Sequence, residues 1–174
     1  QKRIHPGNDL LDNLDRGHRE ALDARAAFYE LPLCDTAQIV RILEEHAIEC
    51  VMHFAALAYV GESVERPLDY YDNNTSGAVS LLKAMRAVGV RRFVFSSTCA
   101  TYGQPDRVPI VETMAQQPIS PYGWSKWCVE RILKDMAAAD PEFAFAALRY
   151  FNVAGAAADG SLGEDHRPET HLIP

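Results

Sequence analysis

The sequence predicts an α/β fold in which a doubly wound parallel sheet carries helices on both faces. Three observations point there. Short apolar runs without clean alternation, as parallel strands covered on both faces require, occur at residues 49–55, 92–97 and 143–151. Segments with helical periodicity lie between those runs. Strand and helix alternate through most of the 174 residues, an order that calls for right-handed crossovers.

The elements follow in order. Residues 9–14 and 27–31 are weaker strand candidates. Asp35 can cap a helix that carries Ile39, Ile42, Leu43 and Ala47 on one stripe. After the strand at 49–55, Pro67 stands where a helix begins and Gly89 where it ends, and that helix would bury Val79, Leu82 and Met85. Ser120-Pro121 after the strand at 92–97 is a strong start signal, a capping hydroxyl followed by proline at the first helical position. The helix it starts turns Val129, Ile132, Leu133 and Met136 inward and stops near Asp140-Pro141. Residues 156–174 are polar and rich in Gly and Asp, and read as loop or as the start of another domain.

Composition excludes several functions. The net charge of −7 argues against nucleic acid, which needs a basic face. Cys34, Cys50, Cys99 and Cys128 form no C-x-x-C and no zinc spacing, and read as reduced thiols of a cytoplasmic protein. The apolar run 51–60 is too short to span a bilayer, and no signal peptide is evident. The first residue is Gln1 rather than methionine, which leaves open a processed product, a fragment or a truncated reading frame.

In parallel α/β sheets ligands sit at the carboxyl ends of the strands. That rule directs attention to the residues after Ala55, Ser97 and Phe151. Tyr122 and Lys126 are four apart and share a helix face. An ammonium beside a phenol favours the phenolate and lowers its pKa from about 10. Spacing alone favours an exposed tyrosine and a solvated lysine. Thr98 follows a buried strand, where its hydroxyl can bond a substrate or, alternatively, its own backbone. Ala55 and Ala56 let a flat ligand approach the backbone, or simply pack closely. Asn73 and Asn74 lie inside a helix, where asparagine is disfavoured unless its side chain bonds something other than solvent.

Six segments occur in a fixed order: His53-Phe54-Ala55-Ala56, Val60-Gly61-Glu62-Ser63, Tyr70-Tyr71-Asp72-Asn73-Asn74, Phe95-Ser96-Ser97-Thr98, Ser120-Pro121-Tyr122-Gly123-Trp124-Ser125-Lys126 and Arg149-Tyr150-Phe151-Asn152. Gly163-Glu164-Asp165 and Pro168-Glu169-Thr170-His171 follow them. From about Asp12 to Pro174 the chain resembles the UDP-glucose 4-epimerase group of the extended short-chain dehydrogenase/reductase family. The resemblance implies a Rossmann-like domain that binds NAD and acts on a UDP-sugar, interconverting UDP-glucose and UDP-galactose through a 4-keto intermediate. It implies Tyr122, Lys126 and Thr98 as catalytic residues. Asp12, Asn13, Phe54, Ala55, Ala56, Asn73, Tyr122, Lys126 and Phe151 would bind the cofactor, and Thr98, Tyr122, Asn152 and His171 the substrate. It also implies a homodimer built on the helices of residues 68–88 and 122–139, packed as a four-helix bundle. Related dehydratases place Asp-Glu directly after the threonine; here Cys99-Ala100 follows Thr98, which favours epimerisation.

The family pattern opens with a strand, a G-x-x-G-x-x-G turn and a helix, and the 174 residues contain no such run. Residues 1–152 are therefore expected to form an incomplete dinucleotide-binding domain, and 153–174 the start of a truncated substrate region. In the order 3-2-1-4-5-6 strand 1 is central. The strand near residues 9–14 is then expected to be poorly ordered or re-paired. Leu31-Pro32 replaces a frequent Gly-Asp, and Ala58 a lysine found in some relatives. Two alternatives stay open: a non-catalytic epimerase fragment, and another extended short-chain enzyme such as a pentose-nucleotide epimerase or a decarboxylase.

Overall fold

The computed structural model describes residues 9–160 and 163. Five strands are all paired in parallel, in two sheets. β1 (Asp9–Asp12) pairs with β2 (Ala27–Glu30), Asp9 opposite Ala27. β3 (Cys50–His53), β4 (Arg92–Thr98) and β5 (Ala144–Tyr150) form the second sheet with β4 central, Val51 opposite Phe93 and Phe93 opposite Phe145.

The strand at residues 9–12 differs from expectation. It is regular, it pairs with β2 along its whole length, and it does not turn to β3 to close the sheet. Its ladder and the apolar contacts beneath it suffice: Leu11 and Tyr29 pack on the core that contains Leu31. Tyr29 Oη lies 2.5 Å from His46 Nε2, and His46 Nδ1 lies 3.3 Å from Asp9 Oδ1, which links both strands to the helix before β3.

That helix, α1 (Thr36–Glu45), starts where expected. Asp35 accepts a hydrogen bond from the Gln38 amide, and Ile39 and Leu43 are buried. α2 (Val60–Glu65) follows β3 and is not signalled by the sequence. The long helix expected from Pro67 to Gly89 comes in three pieces: α3 (Pro67–Tyr70), a π-helical stretch (Tyr71–Ser76) and α4 (Gly77–Val88). Gly89 ends it in the left-handed conformation at φ 77°. α5 (Pro121–Ala139) has the expected Ser120 cap, whose hydroxyl accepts from the Gly123 amide, and stops at Asp140.

One core joins these parts. Ile39 and Leu43 meet Leu82 and Met85 of α4, while Val129 and Leu133 of α5 cover Phe93 and Phe95. The other face of β3–β5 presents Met52, Phe54, Leu148 and Tyr150 in exposed positions. No helix among the described residues is long and apolar enough to cross a membrane.

A two-stranded sheet is marginal on its own, whereas a central strand opens only with the whole fold. Amide exchange should therefore be fastest in β1 and β2 and slowest in β4. By hydrogen-exchange mass spectrometry β4 should track global unfolding. Equal protection in β1 and β4 would show that the two sheets open as one unit.

Candidate active site

The carboxyl ends of β3 and β4 and the first turns of α5 converge on Tyr122. Thr98, the last residue of β4, caps the 3₁₀ turn Cys99–Tyr102 by accepting the Ala100 amide at 3.1 Å. Its hydroxyl also stands close enough to Tyr122 to favour the phenolate. Burial outweighs it, and the Tyr122 pKa lies above the ordinary phenol value. Tyr70, fully buried, packs edge-on against the Tyr122 ring with centroids 6.3 Å apart.

The approach of Tyr122 to Thr98 depends on Gly123. A Cβ there would lie 2.8 Å from the Ala100 carbonyl oxygen and 3.1 Å from Pro118 Cβ. The start of α5 thus rests directly on the turn that Thr98 caps.

Lys126 is on the face expected, and its ammonium turns toward β4 rather than toward Tyr122. Its ammonium donates to the Ser96 carbonyl at 2.9 Å and sits 5.0 Å from the centroid of the Phe95 ring. It is not among the groups that shift Tyr122; burial brings its own pKa down to about 8. One turn further along, Glu130 is buried. Burial alone would raise its carboxyl, but hydrogen bonds from Arg149, Ser97 and Gln116 hold it below the ordinary value. Arg149 Nη2 donates at 2.8 Å, Ser97 Oγ at 2.5 Å and Gln116 Nε2 at 2.9 Å. Arg149 also reaches the Tyr102 hydroxyl at 2.6 Å. Residue spacing gave no notice of this network. The available signal was an arginine inside an apolar strand and a glutamate on the inward face of α5.

Asn74 explains half of the asparagine pair. Its Oδ1 accepts the Leu57 amide at 2.8 Å and Asn73 Nδ2 at 2.9 Å. Its own Nδ2 donates to the Leu57 carbonyl at 2.9 Å and to Ser125 Oγ at 3.0 Å. Every hydrogen-bonding position of the amide is used. Ser125 Oγ donates in turn to the Tyr122 carbonyl at 2.8 Å. Asn74 therefore ties the loop after β3 to the helix that carries Tyr122.

Beside this site, between the carboxyl ends of β1 and β3, lies a cleft of about 420 Å³. Asp12, Asn13, Ala55, Ala56 and Asn73 line it. Asp12 Oδ1 also accepts the Leu14 amide at 2.6 Å. Phe54 and Phe151 are exposed at the ends of β3 and β5, and Asn152 is exposed beside Phe151. His171 lies outside the described residues. No group of His, Cys, Asp or Glu able to hold a metal occurs among the described residues. The arrangement brings a phenol, a neighbouring hydroxyl and a buried ammonium to one strand end, which suits proton transfer to and from a hydroxyl.

Residues 9–174 match the model described as the NAD dependent epimerase/dehydratase family. The chain is 51% identical over 173 residues to a UDP-glucose 4-epimerase of Lactobacillus helveticus, covering 98% of this chain and 52% of that protein. It is 45% identical over 169 residues to a probable UDP-arabinose 4-epimerase 3 of Oryza sativa subsp. japonica, covering 92% of this chain and 42% of that protein. The crystal structure of the UDP-glucose 4-epimerase from Brucella ovis in complex with NAD superposes with a TM-score of 0.89 at 51% identity, covering 93% of this chain and 49% of that one. The chain spans about half the length of the curated relatives it matches.

Two predictions follow from the packing around the site. Alanine for glycine in a helix ordinarily stabilises by up to about 1 kcal/mol. That gain or near-neutrality is expected at Gly61, where a Cβ meets nothing within 4 Å. At Gly123 the sign should reverse, with a loss of roughly 1–3 kcal/mol as α5 is pushed off the Ala100 carbonyl. Urea midpoints of the two variants decide it.

The second concerns His53, buried with its ring 5.7 Å from Phe95. Burial, with a smaller contribution from Lys126, brings its pKa to about 3. The unfolded chain takes up this proton below pH ~6.5 and the folded chain does not. Its contribution to stability is complete above that pH and is lost as pH falls toward 3. The slope is at most about 1.4 kcal/mol per pH unit. Between pH 6.5 and 5.5 His53→Gln should lose less stability than the parent; equal losses would show that His53 protonates in the fold.

Proposed function

The chain belongs to the NAD-dependent epimerase/dehydratase family, and on that premise we propose that the whole protein is a UDP-glucose 4-epimerase, interconverting UDP-glucose and UDP-galactose. The observation that carries the reading is the meeting of Thr98 and Tyr122 at the end of β4, where the Thr98 hydroxyl favours the phenolate. Cys99-Ala100 beyond it supply no acid or base for dehydration.

In this reading Tyr122 removes the proton of the sugar 4-hydroxyl and returns it after the 4-keto sugar has turned over. Thr98 relays or steadies that proton. NAD, when bound, supplies the hydride acceptor and donor for C4. The cleft wall supports that cofactor: Asp12 offers a carboxylate to ribose hydroxyls, and Ala55 and Ala56 leave the backbone open to a flat ligand. Asn13, Asn73, Phe54 and Phe151 complete the cofactor contacts, with Lys126 placed for the second ribose. Asn152 and His171 meet the UDP-sugar. The burial that keeps Tyr122 protonated is the barrier Lys126 must offset, by moving its ammonium from the Ser96 carbonyl toward the phenol oxygen. Residues 1–152 serve as the dinucleotide-binding part, and 153–174 as the start of the substrate region.

A homodimer is part of the proposal. Val64, Leu68 and Trp124 expose apolar surface on α2, α3 and α5, which pack on one another. The scattered unpaired cysteines suit a cytoplasmic protein. One observation favours a second reading, a pentose-nucleotide epimerase: the name of the rice relative.

Tyr122→Phe should lower kcat by at least roughly 10²–10⁴-fold, the range of a lost general acid–base, with little change in NAD affinity. Turnover near the parent rate would remove Tyr122 from its role. NAD titrated into this chain, and into one extended by an N-terminal strand, glycine-rich turn and helix, measures what those amides add. Equal affinities would mean the cleft residues suffice.

A further inference from the structure

Four carboxylates line the cleft, those of Asp12, Asp15, Asp69 and Asp72, and among its described lining residues Arg16 is the one cation. Arg16 lies four residues beyond Asp12, on the same loop. Its guanidinium does not turn to Asp12. Nη2 donates to Glu62 Oε1 at 2.8 Å, 46 residues away in α2, and Nε donates to Asp15 at 3.3 Å. The guanidinium carbon also lies 5.4 Å from the Tyr59 ring centroid. Glu62 is backed by buried Tyr70, whose hydroxyl is shared between Glu62 Oε2 at 2.8 Å and the Tyr59 carbonyl at 2.7 Å. The arginine is held at the rim of the cleft by an anchored partner.

We propose that the Arg16–Glu62 pair sets selectivity for NAD over NADP, because Glu62 withholds the cation that a 2′-phosphate on the adenosine ribose would need. The inference rests on the reading of this cleft as the place of that ribose. A 2′-phosphate brings a charge of about −1.5 to −2 at neutral pH into a ring of carboxylates. An arginine able to pair with it is what dinucleotide sites use to accept it. Here that arginine is present but engaged. The ion pair is partly exposed, with side chains 44% and 21% accessible, so removing the charge of Glu62 should cost the fold little. Glutamine at 62 still offers an oxygen to Tyr70.

NAD and NADP differ only in the 2′-phosphate, so the ratio of their dissociation constants cancels everything else the protein contributes. Calorimetric titration of both into the parent, Glu62→Gln, Arg16→Ala and the double variant tests the inference. The parent should prefer NAD, and Arg16→Ala should change the ratio less than about twofold. Glu62→Gln should narrow it by about threefold to fivefold through tighter NADP binding, the upper worth of one partly exposed ion pair. The double variant should return to the ratio of Arg16→Ala. An unchanged ratio in Glu62→Gln, or a narrowing that survives loss of Arg16, overturns the inference. A marked widening in Arg16→Ala also overturns it, since Arg16 would then already serve the phosphate. Absence of NAD binding even to the chain extended by the glycine-rich turn is a separate result, which removes the assignment of the cleft and the inference with it.

Discussion

A buried carboxylate must be paired and hydrogen-bonded or it protonates, and Glu130 meets that requirement with groups from three directions. Arg149 comes from β5, Ser97 from β4 and Gln116 from the loop before α5, while Glu130 itself sits on α5. Removing one partner of such a pair strands the other charge, at a cost of roughly 3–5 kcal/mol. The pair therefore specifies one arrangement of helix and strands more than it adds net stability. That arrangement also fixes the position of Tyr122, since Tyr122, Lys126 and Glu130 follow one another at four-residue intervals along the same helix.

The same economy governs the other side of the helix. Asn74 uses every polar position it has to hold Leu57 and Ser125, and Ser125 holds the Tyr122 carbonyl. Neighbouring asparagines in the π-helical stretch have different tasks. Asn73 lines the cleft while Asn74 closes the backbone behind it. Gly123 adds the third restraint, an approach of helix to turn that a methyl group would prevent. Site geometry here comes from satisfied polar groups and one close contact, with the apolar core supplying the energy.

Much of this was legible in the chain. Strands at 50–53, 92–98 and 144–150 showed as apolar runs because apolar side chains occupy both faces, Phe93 and Phe95 on the covered one and Met52, Leu148 and Tyr150 on the exposed one. The caps at Asp35 and Ser120 showed because one side chain and a few neighbours settle them. α2 did not show: it is six residues long, contains Gly61, and leaves Val60 and Val64 exposed, so no stripe distinguishes it. The regularity of β1 is not legible in the chain, because it rests on the ladder with β2 and on the core contacts of Leu11 and Tyr29. Tyr122 and Lys126 were found, but spacing on a helix fixes only the shared face. Whether an ammonium turns to a phenol or to a backbone carbonyl depends on the strand beneath, and the Ser96 carbonyl takes it.

The distribution of charge has a kinetic consequence. The chain carries a net charge of −7, its cleft is lined by four aspartates, and its deepest cation, Lys126, is only 3% accessible. An anionic nucleotide approaching from afar meets a repulsive field and finds attraction only at close range. Salt screens the far field within about 8–10 Å and leaves a buried charge nearly untouched. Added salt should thus speed the encounter with an anionic ligand, the reverse of the usual pattern for electrostatically guided association. A nucleotide would then be captured by short-range geometry after a climb, and the ionic strength of its surroundings would set the height of that climb.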